Sequence, residues 1–356
     1  MNMVNEWICE GVQEQICYSS AFMTVGEMSE YMNRFTVLDV NKGILERHLQ
    51  KQEKERKESA GKEVDRIREK EKFPAECDAV VFGMDGVNII VREEGKKKGR
   101  PKERPTLEKD VHKKRKASYQ NVMCGSISFY TSGDEKYERL ESHYVASMPE
   151  KGFPQFRKDF EKESENVFSN IEKSGRQIQK IVLCDGARPL WKYIGESKKF
   201  TDCHYLVDYY HATEHLSAAA EVIWGKSSDL AKEGYRKWLK TLKKRKGVER
   251  VLASLQYYKK GLSKSKMALV EKEITYFKNN KSKMNYEYFV SRGLPIGSGV
   301  TEAACKSVVK QRMCRSGMRW GLKKGNGQLV LTIRSIIKSR RWDRYWQELQ
   351  GIRNCA

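Results

Sequence analysis

Several common sequence features are missing from this chain. No stretch approaches the ~20 consecutive apolar residues of a membrane span, and no signal-peptide pattern follows Met1. The nine cysteines include no CxxC pair, which argues against a zinc ribbon and against the disulfide framework of a secreted protein. Neither an internal repeat nor a Pro/Ser-rich linker is present. Several of the cysteines lie in apolar runs and are therefore expected to be buried thiols in a reducing cytosol.

Acidic residues are in the minority. The 69 lysines and arginines exceed the 47 aspartates and glutamates and leave a net charge of +22. Because self-repulsion of this size opposes a compact fold, a polyanionic partner is expected. Nucleic acid fits best, with a membrane surface as the competing polyanion, and binding to nucleic acid should weaken steeply with salt. At 356 residues and 39% hydrophobic content, the chain can bury a substantial core.

Apolar runs and helical patterns together predict an α/β protein. The five predicted strands lie at residues 80–92, 118–130, 137–147, 179–184 and 202–209. A helix is expected at 153–173, and the polar segment 93–116 is unsuited to a core. Three strands, a helix, two further strands and a later helix form the order of the RNase H-like fold, a mixed sheet flanked by helices.

The chain is expected to divide into five segments. Their predicted bounds are 1–50, 51–75, 76–210, 211–293 and 294–356. The first is helical and fits either a remnant helix-turn-helix DNA reader or an ordinary helical hairpin. A charged, solvated connector helix follows, and then the first part of the catalytic core. The fourth is an all-α insertion, too long for a loop. The last is the second part of the catalytic core, with a basic helix and a C-terminal helix.

Three acidic residues lie in unusual settings. Asp85 is inside an apolar strand, Asp185 ends another, and Glu302 opens a basic helix. A carboxylate in a hydrophobic strand is costly unless something compensates for its desolvation, and a divalent metal ion would do so. Taken singly, each has an ordinary interpretation, since Asp-Gly is a common turn and a first-turn glutamate suits the helix dipole. Their joint placement favours a catalytic triad for phosphodiester cleavage with Mg²⁺ or Mn²⁺.

A second pair, Asp208 and His211, follows the last predicted strand. The two side chains fit a carboxylate–imidazole pair that turns His211 towards a scissile phosphate. They equally fit a strand-to-helix cap, in which Asp208 accepts backbone N–H groups. A structural or positioning role is favoured over a general base, because a bound metal already activates the nucleophile.

The helix after Glu302 is basic. Its candidate DNA contacts are Lys306, Lys310, Arg312, Arg315 and Arg319 on phosphates, and Trp320 stacked on an unpaired base. Lys306 and Lys310 fall one and two turns beyond Glu302 on the same face. A solvated basic face is the alternative. For Trp224 and Trp238 in the insertion, core packing is favoured over base stacking.

Five stretches give the chain a family resemblance. They are residues 84–87, 183–191, 207–216, 294–306 and 312–320, and the likeness extends from about residue 24 to 346. Through them the chain resembles the DDE transposases of bacterial insertion sequences, most closely the Kra-type family and more distantly the Mutator-like transposases. The resemblance implies that Asp85, Asp185 and Glu302 are the metal-binding triad for two Mg²⁺ ions, for which Mn²⁺ can substitute. Asp208 and His211 match the D-x-x-H signature of related transposases.

The resemblance also implies an activity and partners. Such an enzyme nicks DNA at the terminal inverted repeats of its element and joins the freed 3′-hydroxyl to target DNA. It works on two DNA ends as a homodimer or larger assembly, in the bacterial cytoplasm at the nucleoid. Relatives carry a longer N-terminal region, so a shortened copy is expected here. The alternatives are a nuclease without strand transfer and a transposase-derived protein that only binds DNA.

Overall fold

The computed structural model describes residues 8–59, 61–92, 118–322 and 326–354. Within them, five strands form one sheet: β1 (Ala79–Val91), β2 (Ser118–Ser132), β3 (Tyr137–Ser147), β4 (Gln179–Cys184) and β5 (His204–Val207). Each strand end lies within two residues of its predicted position. The polar segment 93–116 lies outside the described residues.

The sheet is mixed and has the order β3-β2-β1-β4-β5. β1 pairs antiparallel with β2 and parallel with β4, while β2–β3 is antiparallel and β4–β5 is parallel. With helices on both faces, this arrangement is RNase H-like, as predicted. β1 is the central strand, and its side chains alternate between the two faces. Val80 and Phe82 pack in one core, whereas Val81 packs in the opposite one.

Helices make up the rest of the fold. Those before the sheet and beside β4 are α1 (Glu10–Ser20), α2 (Val25–Phe35), α3 (Lys42–Ser59), α4 (Lys62–Lys70), α5 (Pro154–Ser174) and α6 (Arg188–Glu196). Those after β5 are α7 (Tyr209–Trp224), α8 (Asp229–Leu242), α9 (Gly247–Lys259), α10 (Lys264–Asn280), α11 (Tyr286–Val290), α12 (Gly299–Ala304), α13 (Gln311–Met313), α14 (Gly327–Lys338) and α15 (Trp342–Asn354). A π-helical stretch, Cys305–Lys310, joins α12 to α13. None of the described helices is both long and apolar enough to cross a membrane.

Helices α7 to α11 lie between β5 and α12 and cover the predicted insertion. Its apolar side chains continue the core on one face of the sheet. Trp238 is 3% exposed, and Trp224 packs against it with ring centroids 5.0 Å apart. Core packing of these two tryptophans is thereby confirmed.

The N-terminal helices share a core with the C-terminal ones. Apolar residues of α1 to α4 pack against α14 and α15, with Leu45 and Ile67 meeting Ile333 and Trp346 in one cluster. The connector at 51–75 was expected to be a solvated helix, but α4 contributes buried side chains from Ile67 and Arg68. That expectation overlooked the apolar face that Val64 and Ile67 give to a highly charged helix. The division into five segments remains a prediction, as does DNA reading by α2 and α3.

A buried network of charges holds α4, α5, β3 and the start of α15 together. The carboxylate of Glu163, 1% exposed, lies 2.6 Å from Nη2 of Arg341 and 2.6 Å from Nε of Arg68. His143 Nδ1 lies 3.1 Å from the same carboxylate. Burial raises the pKa of Glu163, but the charges of Arg341 and Arg68 outweigh it and hold that pKa well below its usual range. The fold therefore needs this glutamate ionised.

We expect Glu163→Gln to lower the free energy of unfolding by about 3 kcal/mol, because it leaves buried arginine charge without its partner. Since the folded-state pKa is depressed, the stabilisation is present above about pH 4.3 and is lost as the pH falls further. Urea unfolding from neutral to acidic pH measures both effects. The matched control is Glu172→Gln on the exposed side of α5. Equal stability of the two variants would contradict a stabilising role for the ionised Glu163 carboxylate.

Candidate active site where β4 ends beside β1

Two of the predicted carboxylates lie side by side. The parallel pairing of β1 and β4 runs up to Met84 opposite Cys184, so Asp85 and Asp185 are the next residues on neighbouring strands. Neighbouring strands are about 4.8 Å apart, which keeps the two side chains close. β4 ends here because Asp185 turns the chain: its Oδ1 accepts a hydrogen bond of 3.0 Å from the N–H of Ala187, where α6 begins.

The environment of this pair is unfavourable for two negative charges. Burial raises the pKa of Asp185; the hydrogen bond from Ala187 offsets part of this rise, and the charge of Asp85 adds to it. His211 lowers the pKa of Asp185 and Asp208 raises it, so both lie near enough to act on it. Two partly buried carboxylates in this arrangement would be stabilised by a cation.

α12, the helix that carries Glu302, approaches the sheet closely. Thr301 Oγ1 lies 2.8 Å from Ser126 Oγ on β2, and a Cβ at Gly83 of β1 would lie only 2.0 Å from the same oxygen. Glycine at position 83 therefore permits the packing. Three residues after Glu302, the Cys305 thiol donates to Asp85 Oδ2 at 3.5 Å. Cys305 follows directly on α12, so the helix that carries Glu302 lies against Asp85, while the Glu302 side chain itself is exposed.

Asp208 acts as a structural anchor. It is 1% exposed; its Oδ1 accepts the N–H of His211 at 2.8 Å, and its Oδ2 accepts the N–H of Ser298. The Asp208 N–H in turn donates to the Cys184 carbonyl at 2.8 Å. These contacts cap α7 and fix the loop that leads into α12. They fit the strand-to-helix cap, and His211 Nδ1 instead lies 3.4 Å from a Glu214 oxygen.

The π-helical stretch directly follows α12. Such stretches are rare and frequently occur at functional sites. Lys306 and Lys310 lie within it, and both are exposed. Their predicted alignment with Glu302 assumed α-helical spacing, which the wider π turn alters. Nothing in the residues of this stretch distinguishes it from an ordinary helix, so the sequence could not predict the change.

The remaining predicted DNA contacts divide into two groups. Arg319 is exposed, as are the two lysines. Arg312 is 6% exposed and donates to the carbonyls of Ser20 at 3.0 Å and Met23 at 2.9 Å. Arg315 forms an ion pair with Glu27 of α2. The contacts of Arg312 and Arg315 hold the α1–α2 junction, although Arg315 is itself exposed. Lys306, Lys310 and Arg319 remain the candidate phosphate contacts.

Trp320 also has protein partners. Its Nε1–H donates to the Met313 carbonyl at 2.9 Å, and the Arg312 guanidinium lies over its ring, 5.2 Å from the centroid. Its backbone N–H donates to the Ile90 carbonyl at 3.0 Å, which ties this loop to the end of β1. The indole is partly buried by these contacts, and base stacking by Trp320 remains a prediction.

A further group of metal-type ligands lies away from this site. One ligand atom from each of Glu71, His143 and Glu163 falls within 4.8 Å of the others, so this buried cluster could hold a metal ion. Arg341 and Arg68 already neutralise its carboxylates. The ligands come from separate elements with no motif spacing, and sequence reasoning therefore missed them. The cluster belongs to the charge network that stabilises the fold.

Sequence reasoning also missed Tyr276 of α10. Its ring packs against Gly186, next to Asp185, where a Cβ would lie 2.4 Å from the ring carbon Cε2. The only sequence signal was an aromatic residue in a charged helix, which fits core packing equally well.

Comparison with known proteins adds little to this geometry. No protein-family model matches the chain. No curated protein sequence matches it either. Three chains of solved structures match it, and one of them is described as the Drosophila P element transposase strand transfer complex. It is 10% identical, with 96% of this chain and 80% of that chain covered, at a TM-score of 0.27. A likeness at this level carries no argument, so function has to be argued from the site.

We expect metal-free Asp185→Asn to melt at a higher temperature than the wild type at neutral pH. The raised pKa means that the ionised Asp185 carboxylate destabilises the folded state, and asparagine removes that charge. The difference should shrink as the pH falls through the pKa, because the wild-type carboxyl then becomes neutral itself. Thermal unfolding followed by circular dichroism measures it, with the exposed Asp202→Asn as control. If Asp185→Asn melts at a lower temperature than the wild type and Asp202→Asn does not, the ionised Asp185 carboxylate does not destabilise the folded state.

Proposed function

We propose that this protein is a metal-dependent DNA-cleaving and strand-transferring enzyme, a transposase of the insertion-sequence type. The observation that carries the proposal is the juxtaposition of Asp85 and Asp185 on adjacent parallel strands, with the helix of Glu302 packed against Asp85. The net charge of +22 supports a nucleic-acid substrate. The resemblance of the motifs to Kra-type transposases supports strand transfer as the second step.

The donor set fits divalent metal ions. Within the described residues, the hydrogen bonds to the carboxylate groups of the two aspartates come from a thiol and from backbone N–H groups, without a lysine or arginine partner. Three carboxylates offer hard oxygen ligands, which suit Mg²⁺ or Mn²⁺. Asp85, Asp185 and Glu302 would hold two such ions. When bound, the ions would activate the attacking oxygen and stabilise the leaving one.

The other residues of the site would position DNA and keep the site assembled. Lys306, Lys310 and Arg319 would hold phosphates beside the cleaved bond as charge-assisted hydrogen-bond donors. Asp208 would keep α12 in place through its contact with Ser298. We assign His211 a positioning role at the start of α7, because its backbone N–H is held by Asp208.

The proposed reaction has two displacements at phosphorus. Water attacks a phosphodiester at the end of the element, the bond from phosphorus to the 3′-oxygen breaks, and a 3′-hydroxyl and a 5′-phosphate result. The 3′-hydroxyl then attacks a target phosphodiester, forms the new bond to phosphorus, and displaces the target 3′-oxygen, which takes up the proton. Because two DNA ends take part, a dimer or larger assembly on DNA is part of the proposal, as is a place at the bacterial nucleoid.

The test is cleavage of labelled DNA duplexes taken from either side of the gene, with Mg²⁺ or Mn²⁺ and a target plasmid. We expect discrete nicks and joined products for the wild type. Asp185→Asn and Glu302→Gln should each slow cleavage by about 1,000-fold or more, because each removes a metal ligand, while DNA affinity stays within about threefold. Chelation of the metal should abolish cleavage.

The matched control is Glu233→Gln, an exposed glutamate on α8, which should cleave at the wild-type rate. Nicks without joined products would restrict the activity to that of a nuclease. Binding without cleavage, equal in wild type and variants, would overturn the enzyme proposal and leave a DNA-binding protein.

A further inference from the structure

Tyr276 carries a hydroxyl group that lacks a partner. Within the described part of the chain, this oxygen is shielded from solvent and makes no hydrogen bond. Unpaired buried hydroxyls are costly, so each one requires an explanation, and a frequent one is a group that the protein alone does not contain.

The hydroxyl lies at the candidate active site, although Tyr276 belongs to the insertion. A Cβ at Gly186 would lie 3.0 Å from the Tyr276 oxygen, and Gly186 directly follows Asp185. Burial raises the pKa of Tyr276, and the charges of Asp185 and Asp208 raise it further. The phenol therefore stays protonated and available as a hydrogen-bond donor.

The ring is held rigidly in this position. It stacks on His215 with centroids 3.6 Å apart and an interplanar angle of 20°. His215 Nδ1 in turn lies 2.5 Å from a Glu273 oxygen, and the His211 ring meets Tyr276 edge-on at 6.0 Å. These contacts fix the ring, so the hydroxyl keeps its place beside Gly186.

A basic groove leads to the same point. It has a volume of about 500 Å³ and lies between α10 and the start of α6, lined in part by Gly186, Arg188, Trp191, Lys272, Tyr276 and Lys283. Arg188 and Lys272 are exposed, and the Lys283 ammonium lies 5.1 Å from the centroid of the Trp191 ring. Cations interleaved with aromatic rings fit an unpaired DNA strand, with its phosphates on the cations and a base near the ring.

We propose that Tyr276 is a further catalytic residue, whose hydroxyl donates a hydrogen bond to a phosphate oxygen of the cleaved strand, and that this groove binds the flanking nucleotides of that strand. The inference rests on the proposed function and deepens it. It makes the all-α insertion one wall of the active site.

The test is single-turnover DNA cleavage by Tyr276→Phe, which removes the oxygen and keeps the ring on His215 and Gly186. We expect cleavage at saturating DNA to be about 10- to 100-fold slower, as for loss of one donor to a developing negative charge. DNA affinity should stay within about twofold, and the melting temperature should be equal or higher, because an unpaired hydroxyl is gone. Tyr257→Phe, on an α9 tyrosine that is 70% exposed, is the control and should cleave at the wild-type rate.

A second measurement examines the groove. The slope of log K against log salt concentration, for binding to a single-stranded oligonucleotide, measures the number of phosphate contacts. In the double variant Arg188→Gln with Lys272→Gln its magnitude should fall by about 1.4, which is ~0.7 for each lost contact. Arg236→Gln with Lys237→Gln, exposed cations on α8, should leave it unchanged. If Tyr276→Phe cleaves at the wild-type rate while Asp185→Asn does not cleave, the inference is overturned and the proposed function stands. A wild type that cleaves no DNA would overturn both.

Discussion

The candidate site depends on the hydrogen bonds that the buried carboxylate of Asp208 accepts. Removing a carboxylate from water is costly unless its oxygens are satisfied, and here they accept N–H groups from His211 and Ser298. Hydrogen bonds to a charged acceptor are each worth about 1.5–3 kcal/mol. Through them the end of β5, the start of α7 and the loop before α12 are joined. α12 carries Glu302, and α7 begins the insertion that brings Tyr276 back to Asp185.

The positive charge of the chain serves two purposes. Arg312 and Arg334 are buried, and their guanidinium groups donate to backbone carbonyls such as Ser20 and Val308. Burial lowers the pKa of each to about 10, which still leaves them charged at neutral pH. Arg341 neutralises buried glutamates instead. The net charge therefore overstates the surface available to DNA, since part of it holds the terminal helices against the sheet.

The strands and the adjacency of Asp85 and Asp185 were predictable because both follow from local pattern and parallel pairing. The predicted core role of Trp238 also held, since a large apolar residue among helices is most easily buried. Arg312 was not distinguishable from Lys310, because composition and helical spacing do not say which cation faces the protein. The same limit applied to the connector, where the apolar side chains of Val64 and Ile67 pack one side of α4 into a core.

By itself, the sequence determined the α/β class, the strand positions and the three acidic residues worth examining, because hydrophobic periodicity and the cost of a carboxylate in an apolar strand are local properties. Only the tertiary structure decided which groups share the site. Asp208 became an anchor, Arg312 and Arg315 bind the α1–α2 junction, and Tyr276 comes from the insertion to Gly186. Such assignments depend on distances between residues far apart in the chain, which no local pattern encodes.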